Sequence, residues 1–346
     1  MPLYDLPIWA GDPMRFPQAG VRGAGFRFFT DEVSYVQAGT KAWERHFNAM
    51  RKEISRYSVK GISSGKESWI APRVSIETRS RIATQRAFDL LLSALDILEG
   101  HDSTALRYKT VVPRNRKNLE DLHPLDLFGH EYNEDRPNLV FGCRFAAALS
   151  RKKAMSYAAF KLQLSYSLAS THWMSRHPRY YPKRYGVSNA PIEHVRMASA
   201  ITLAYSAIEE LQVEPRPLGN RPIKTDSGWD QPARNDLLDR LRSAGVDVSA
   251  AIDWSRRGSP TRVHKARRAA SGSKQPWTRG SVRDRAAAIE DALIEASWLR
   301  SKCTTHKFQK ATSSITMYDV ANVQTLSRRL LLESCGLWKT LLATVQ

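Results

Sequence analysis

Long segments whose apolar residues recur every three or four positions limit the folds that this chain can adopt. The clearest is RSRIATQRAFDLLLSALDILEG at 79–100, where Gly100 is placed to end a helix. The same spacing runs through 144–173, 190–213, about 282–306 and 317–344, and a shorter amphipathic segment, ARNDLLDRLRSAGV, ends at Gly245. Alternation typical of strands is scarce and no internal repeat is found. The sequence therefore predicts a mostly α fold.

The helical pattern is uneven, and this unevenness indicates two regions. Residues 1–140 mix Pro, Gly and aromatic residues with short amphipathic pieces such as KAWERHFNAMRKEISRY. We predict that this region is mostly helical, partly irregular and of unknown fold. For 141–346 we predict a helical bundle, interrupted by a Pro/Gly loop at 214–232 and by a basic connector at 255–280.

The charge of the chain favours a polyanionic partner. Its 346 residues include 53 Lys and Arg against 34 Asp and Glu, a formal net charge of +19. Such an excess is typical of proteins that bind nucleic acid, although it also serves solubility or binding to anionic membrane surfaces.

The location of the protein is predicted from its cysteines and apolar runs. Cys143, Cys303 and Cys335 are too few and too far apart for a disulfide framework or a metal site. No apolar run approaches the ~18 residues that a membrane span needs, and the N-terminus lacks the pattern of a signal peptide. We expect a cytoplasmic protein that does not enter a membrane.

An arginine stands at the end of one predicted helix face. Ser281-x-x-Asp284 resembles a capping box, which predicts that a helix begins there. The apolar face that follows is formed by Val282, Ala286, Ile289, Leu293 and Ala296. The next residue in phase is Arg300, and a guanidinium on an apolar face must be paired or must face a cavity.

A histidine follows this arginine at a short interval. His306 lies six residues after Arg300, which on a straight helix places the two residues roughly 120° apart. They can act together only if the helix ends or bends there, or if a symmetric partner supplies a second pair. Thr304 and Thr305 are β-branched, and they favour such a bend.

A long helix ending in R-x(4–6)-H, a short loop and a second apolar helix resemble the HEPN superfamily. The resemblance covers roughly 190–346, and 144–190 supply a further candidate helix. It implies that Arg300 and His306 are the ribonuclease pair, in a metal-independent site built across a homodimer. Ser301 occupies the position after the arginine, where many catalytic members carry Asn, Asp or His, and we include it among the candidate catalytic residues.

The chemistry of the pair fits RNA cleavage. Histidine can accept or donate a proton near neutral pH, and arginine presents a charged fork to phosphate oxygens. The alternative is structural: Arg300 pairs with a carboxylate such as Glu209 or Asp319, and His306 caps the helix.

The basic connector is the candidate RNA-binding segment, with Trp254 and Trp277 at its flanks. Its cations are Arg256, Arg257, Arg262, Lys265, Arg267, Arg268 and Lys274. A solvated flexible linker is the alternative, and the segment RHPRYYPKRYG at 176–186 allows the same two interpretations. HPLDLFGHEYNED, His123 to Asp135, is better interpreted as a solvated acidic loop than as a metal site.

These features predict a metal-independent endoribonuclease without cofactors, and the resemblance adds a role as a toxin or antiviral host-defence effector. Its partners would be RNA, a second copy of the chain and an inhibitor or activator protein. The alternative is a non-catalytic RNA-binding or protein-interaction protein with the same bundle.

Overall fold

The computed structural model describes residues 1–9, 17, 19–34, 70–100, 112–113, 139–169, 191–225, 228–257, 282–304 and 315–345. The fold is mostly α, as the periodicity predicts, with eight α-helices and nine strands of two to nine residues among these ranges. The chain divides into two compact units. The first comprises 1–95 and 103–151, and the second 96–102 and 152–346.

The first unit contains a five-stranded antiparallel sheet with the order β2-β3-β4-β1-β5. Its strands are β1 Leu3–Trp9, β2 Val21–Gly23, β3 Phe26–Ser34, β4 Ile70–Thr78 and β5 Val112–Pro113. Phe28, Val74 and Ile76 are completely buried, and they form the apolar core of the two central strands.

The described part of 1–140 therefore departs from the expectation of a mostly helical region. The reason is that β3 and β4 pair across a long sequence separation, and the propensity of a segment for a strand depends on such partners. The expected helix KAWERHFNAMRKEISRY lies outside the described residues.

Two helices complete the first unit. Helix α1 spans Arg81–Glu99 and stops at Gly100, which has a φ of +74°, as its position predicts. The last turn of α1 belongs to the second unit. Helix α2 spans Leu139–Leu149, and its Gly142 packs so closely that a Cβ there would lie 2.5 Å from Leu95 Cδ2.

The single helix expected at 144–173 is in fact two helices. The chain leaves α2 at Ser150, adopts an extended conformation at Lys152 and starts α3, Lys153–Leu168. The Ser150 hydroxyl donates to the carbonyl of Ala147. This bond competes with continuation of the helix, and three consecutive cations follow it.

The second unit is built around three packed helices, α3, α4 (Pro191–Glu210) and α7 (Met317–Ser334). Its other elements are β6 Lys224–Thr225, β7 Gly228–Trp229, α5 Gln231–Ser243, β8 Ile252–Arg257, β9 Val282–Ala287, α6 Ile289–Trp298, a π-helical segment Leu299–Thr304, and α8 Trp338–Val345. Helix α4 matches the segment expected at 190–213, and α5 and its end at Gly245 match the expected amphipathic helix.

Buried hydrogen bonds fix the register of the three central helices. The side-chain amide of Gln324 on α7 donates to Ser165 Oγ and to the carbonyl of Ala169, both at 2.9 Å. One turn later, the Ser327 hydroxyl donates to the carbonyl of Ala204 on α4 at 2.5 Å. A shift of α7 along its neighbours would leave these buried groups unsatisfied, so the bonds select one packing.

Two adjacent arginines on α7 are structural. Arg328 donates to the carbonyls of Ile97 and Leu98, in the last turn of α1, and burial lowers its pKa. Arg329 is 5% exposed and pairs with Glu333 at 3.0 Å. Its remaining N–H groups donate to the carbonyls of Asp247, Ala250 and Ala251.

The predicted start of the helix at 282–306 is wrong. Val282–Ala287 is strand β9, so Asp284 belongs to a strand rather than to a capping box, and α6 begins only at Ile289 after Ala288 as N-cap. Strand β9 pairs antiparallel with β8, and this tertiary pairing overrides the local helical pattern.

The last predicted helix, 317–344, has the expected start and one interruption. Thr316 and Asp319 form the predicted capping box, and the Thr316 N–H donates to Asp319 Oδ2 at 2.9 Å. The segment then breaks at Gly336, which adopts a φ of +71°, and continues as α8.

Candidate functional site

Arg300 lies on the π-helical segment, directly after a buried helix face. Ile289, Leu293 and Ala296 of α6 are completely buried, as the sequence predicts for this part of the stripe. The α-helix ends at Trp298, and the next six residues take i→i+5 geometry. The side chain of Arg300 is 38% exposed, so the end of the apolar face carries an accessible guanidinium.

The carboxylate beside Arg300 is Glu209 on α4. Arg300 Nη2 lies 3.3 Å from Glu209 Oε1, and the Glu209 side chain is 34% exposed. The structural alternative includes this pairing, but it does not bury the two charges. Ion pairs with this exposure typically contribute about 0–1 kcal/mol, because solvent screens them. Asp319, the other candidate carboxylate, closes the capping box with Thr316.

A buried tyrosine connects α4 to the helix that precedes Arg300. Tyr205 is 2% exposed, and its hydroxyl hydrogen-bonds to the side chain of Ser297 on α6. Burial raises the pKa of Tyr205, and the charges of Glu209 and Glu214 add to this effect, whereas Ser297 and Arg300 oppose it. This contact links α6 to α4 two residues before the π-helical segment.

Among the arginines of the second unit, the surroundings of Arg300 differ from those of Arg328 and Arg329. Arg329 is buried and Arg328 is half-buried, and both donate to backbone carbonyls, which are held in place by the fold. One partner of Arg300 is the half-buried side chain of Glu209. A phosphate could compete with that carboxylate, because the guanidinium fork matches both groups.

Of the other two predicted catalytic residues, the structure describes Ser301 but not His306. Ser301 is partly exposed and follows Arg300 in the π-helical segment. His306 lies outside the described residues, so its position relative to Arg300 stays a prediction. The straight helix assumed for the 120° separation ends before Arg300, because α geometry gives way at Leu299.

The basic connector begins within a strand. Arg256 and Arg257 belong to β8, where Arg256 stands opposite Arg283 of β9 and Arg257 stands opposite Val282. This pairing places the start of the connector, 255–257, beside 282–284, which follow it in the sequence. The remaining predicted RNA-binding residues lie outside the described part of the chain, as does 176–186; they are Arg262, Lys265, Arg267, Arg268 and Lys274.

Helix α3 carries a surface of cations and aromatic rings that was not predicted from the sequence. We call it the basic aromatic face, and it consists of Lys152, Lys153, Tyr157, Phe160 and Lys161. Tyr157 is 49% exposed and Phe160 is 38% exposed. Lys153 Nζ lies 5.6 Å from the centre of the Tyr157 ring. The signal in the sequence is the absence of any acidic residue from KAMSYAAFKLQLSYSL, but helical periodicity alone does not reveal which rings are exposed.

Lys161 connects this face with α4. Its ammonium donates to Glu210 Oε1 at 2.6 Å and to Ser206 Oγ at 2.9 Å. Glu210 follows Glu209, the partner of Arg300, in the sequence. The basic aromatic face and Arg300 are therefore joined through neighbouring carboxylates at the C-terminal end of α4.

The part of the chain that the structure describes offers neither a metal centre nor a membrane span. It holds no group of three or more His, Cys, Asp or Glu side chains that could bind a metal ion. His123 to Asp135 lies outside that part. None of the helices within it is both long and apolar enough to span a bilayer.

No family model, curated protein or solved structure matches the chain.

Proposed function

We propose that the protein is a metal-independent endoribonuclease that cleaves RNA through Arg300 and His306, in a homodimeric HEPN-like domain. A role as a toxin or host-defence effector is part of this proposal. The observation that carries it is the position of Arg300, whose side chain is 38% exposed at the end of a buried helix face, beside the half-buried carboxylate of Glu209.

The π-helical segment supports this assignment. Such segments interrupt α-helices frequently at functional sites, because the extra residue in the turn costs stability. Here the departure from α geometry starts at Leu299 and includes both Arg300 and Ser301. The Tyr205–Ser297 contact links the preceding turn to α4.

The proposed reaction uses the nucleophile of the RNA. A histidine takes the proton of the 2′-OH, the 2′-oxygen attacks the adjacent phosphorus, and the 5′-oxygen leaves with a proton from a second acid. Two copies of His306 in a homodimer would supply the base and the acid. Arg300 would stabilise the charge that develops on the phosphate oxygens, and the products would be a 2′,3′-cyclic phosphate and a 5′-hydroxyl.

The second candidate is a non-catalytic RNA-binding or protein-interaction role. The Arg300–Glu209 ion pair favours it, because a carboxylate beside the guanidinium competes with phosphate for the arginine. In that case Arg300 would attach the π-helical segment to α4 and nothing more.

Purified protein incubated with RNA in EDTA distinguishes the two candidates. We expect cleavage with 2′,3′-cyclic phosphate ends, no cleavage of DNA, and a roughly 10²–10⁴-fold lower rate for His306→Ala, the usual effect of losing a positioned proton donor or acceptor. Size-exclusion chromatography with light scattering should give a dimer. Equal rates for wild type and His306→Ala would show that the pair is misassigned.

A further inference from the structure

We propose that the basic aromatic face of α3 binds single-stranded RNA, with bases stacked on Tyr157 and Phe160 and phosphates held by Lys152 and Lys153. The inference rests on the proposed function for the choice of RNA as ligand. Its site, however, is separate from Arg300 and can be tested alone.

The two aromatic rings are arranged for neighbouring bases. Tyr157 and Phe160 are three residues apart on α3, so their Cβ atoms lie side by side, about 5–6 Å apart on the helix surface. Both rings are well exposed, whereas Ala158, Ala159 and Leu162 between and beyond them are buried. Exposed aromatic residues next to cations form the usual platform for single-stranded nucleic acid, because every base has a π face.

The charge of α3 complements a phosphate backbone. The helix carries no acidic residue, and two exposed cations, Lys152 and Lys153, stand at its start. Cations in the first turn add to the positive end of the helix dipole, which is unfavourable for the isolated protein. A polyanion removes this repulsion. The Lys153–Tyr157 contact also shows that a cation and a ring already share one surface.

The face leads to the proposed catalytic arginine. Lys161 bonds to Glu210, and the preceding Glu209 holds Arg300, so cations of α3 and of the π-helical segment flank the end of α4. A strand stacked on Tyr157 could thus continue along α4 towards Arg300. All of these residues belong to the second unit.

Two exposed aliphatic residues of α4 lie at the other end of the helix pair. Because Lys161 contacts Ser206 whereas Ser165 contacts Ala200, α3 and α4 are antiparallel. Exposed Ile192 and Val195 of α4 are therefore near the C-terminal end of α3, away from its aromatic rings. An apolar protein partner would be expected at that aliphatic end, and the cations with the aromatic rings favour RNA at the N-terminal end.

Fluorescence anisotropy with a labelled single-stranded 2′-O-methyl RNA tests the proposal, since this probe cannot be cleaved. The Tyr157→Leu/Phe160→Leu double variant keeps apolar side chains but removes the π faces. We expect it to bind at least roughly 10-fold more weakly, because stacking of one base contributes about that factor or more. Leu164→Ala, an exposed apolar residue one turn further along α3, is the matched control and should bind as wild type does.

Two further variants test the details of the face. Tyr157→Trp should retain binding because it retains the ring. Lys152→Gln/Lys153→Gln should make the salt dependence shallower, by about 0.7 in slope for each phosphate of the single strand that is no longer neutralised. Circular dichroism and urea unfolding confirm that each variant is folded, as the exposure of all these side chains leads us to expect.

The outcomes separate this inference from the proposed function. If the double leucine variant binds RNA with wild-type affinity, the inference is wrong. It is wrong also in the case that the face then proves to bind an apolar protein. Binding that depends on Tyr157 and Phe160, together with intact RNA in every cleavage assay, would support the face and refute the nuclease. Cleavage that depends on Arg300 and His306, with unchanged RNA binding in the variants of the face, would support the nuclease and refute the face.

Discussion

The guanidinium of Arg300 and the carboxylate of Glu209 lie 3.3 Å apart, and each side chain keeps about a third of its surface exposed. This pair joins the π-helical segment to the last turn of α4. Its exposure means that water or a phosphate can compete for the arginine, because a screened ion pair is weak. The contact has two interpretations, an ion pair that RNA replaces on binding and a permanent structural contact. The substitution of Glu209 distinguishes them.

Glu209→Gln should change the free energy of unfolding by less than about 1 kcal/mol, since the pair is partly exposed. It should also tighten binding of 2′-O-methyl RNA, because a carboxylate that competes with phosphate has been removed. Urea titration and anisotropy measure the two effects. A large loss in the free energy of unfolding, with unchanged affinity for RNA, would indicate that the ion pair is a structural contact.

Arg300→Lys should lower the rate of RNA cleavage by roughly 10²-fold. Lysine keeps the charge but loses the fork that donates two hydrogen bonds to a phosphate. Arg242→Lys is the control, since Arg242 forms an exposed ion pair with Asp239 on α5. If Arg300→Lys cleaves RNA at the wild-type rate, the arginine does not stabilise the transition state.

Arg329→Ala should destabilise the protein by about 3–5 kcal/mol, the usual cost of breaking a buried ion pair. The substitution leaves the Glu333 carboxylate buried and removes the donors to the carbonyls of Asp247, Ala250 and Ala251. Urea unfolding beside Arg242→Ala measures the difference, and the control should lose no more than about 0.5 kcal/mol. Similar midpoints for both variants would contradict the structural role of Arg329.

Stability should fall as the pH drops below about 6.5, in part because of His194 on α4. Burial lowers the pKa of His194 from its ordinary value of 6.5. The unfolded chain therefore binds the proton first, and the loss of stability grows as the pH falls from 6.5 to the lower pKa of the folded state. An NMR titration of the imidazole measures that pKa. Unfolding of wild type and His194→Gln at about pH 7.5 and about pH 5.5 gives the linked stability, and equal pH dependence in both would contradict the prediction.

Features that depend on neighbouring residues can be predicted from the sequence. Gly100 and Gly245 end helices as expected, and the Thr316–Asp319 capping box forms because both groups lie within one turn. The apolar face through Leu293 is visible for the same reason.

Features that depend on distant partners cannot be predicted in this way. Strand β9 has a helical pattern of residues, and only its pairing with β8, across the connector, makes it a strand. The sheet of the first unit escapes prediction because β3 and β4 are far apart in the sequence. The exposure of Tyr157 is also hidden, since it depends on which side of α3 faces α4 and α7.

Because of the π-helical segment, the candidate site depends on the number of residues in this turn as well as on their identity. A π turn accommodates one residue more than an α turn, so a one-residue deletion within Leu299–Thr304 would let α6 continue as a regular helix. The residues within the segment, Arg300 among them, would change their positions around the helix axis, while the local backbone became more stable. Selection for stability alone would thus shorten this turn, and its persistence would be a sign that the placement of Arg300 and the residues after it is under selection.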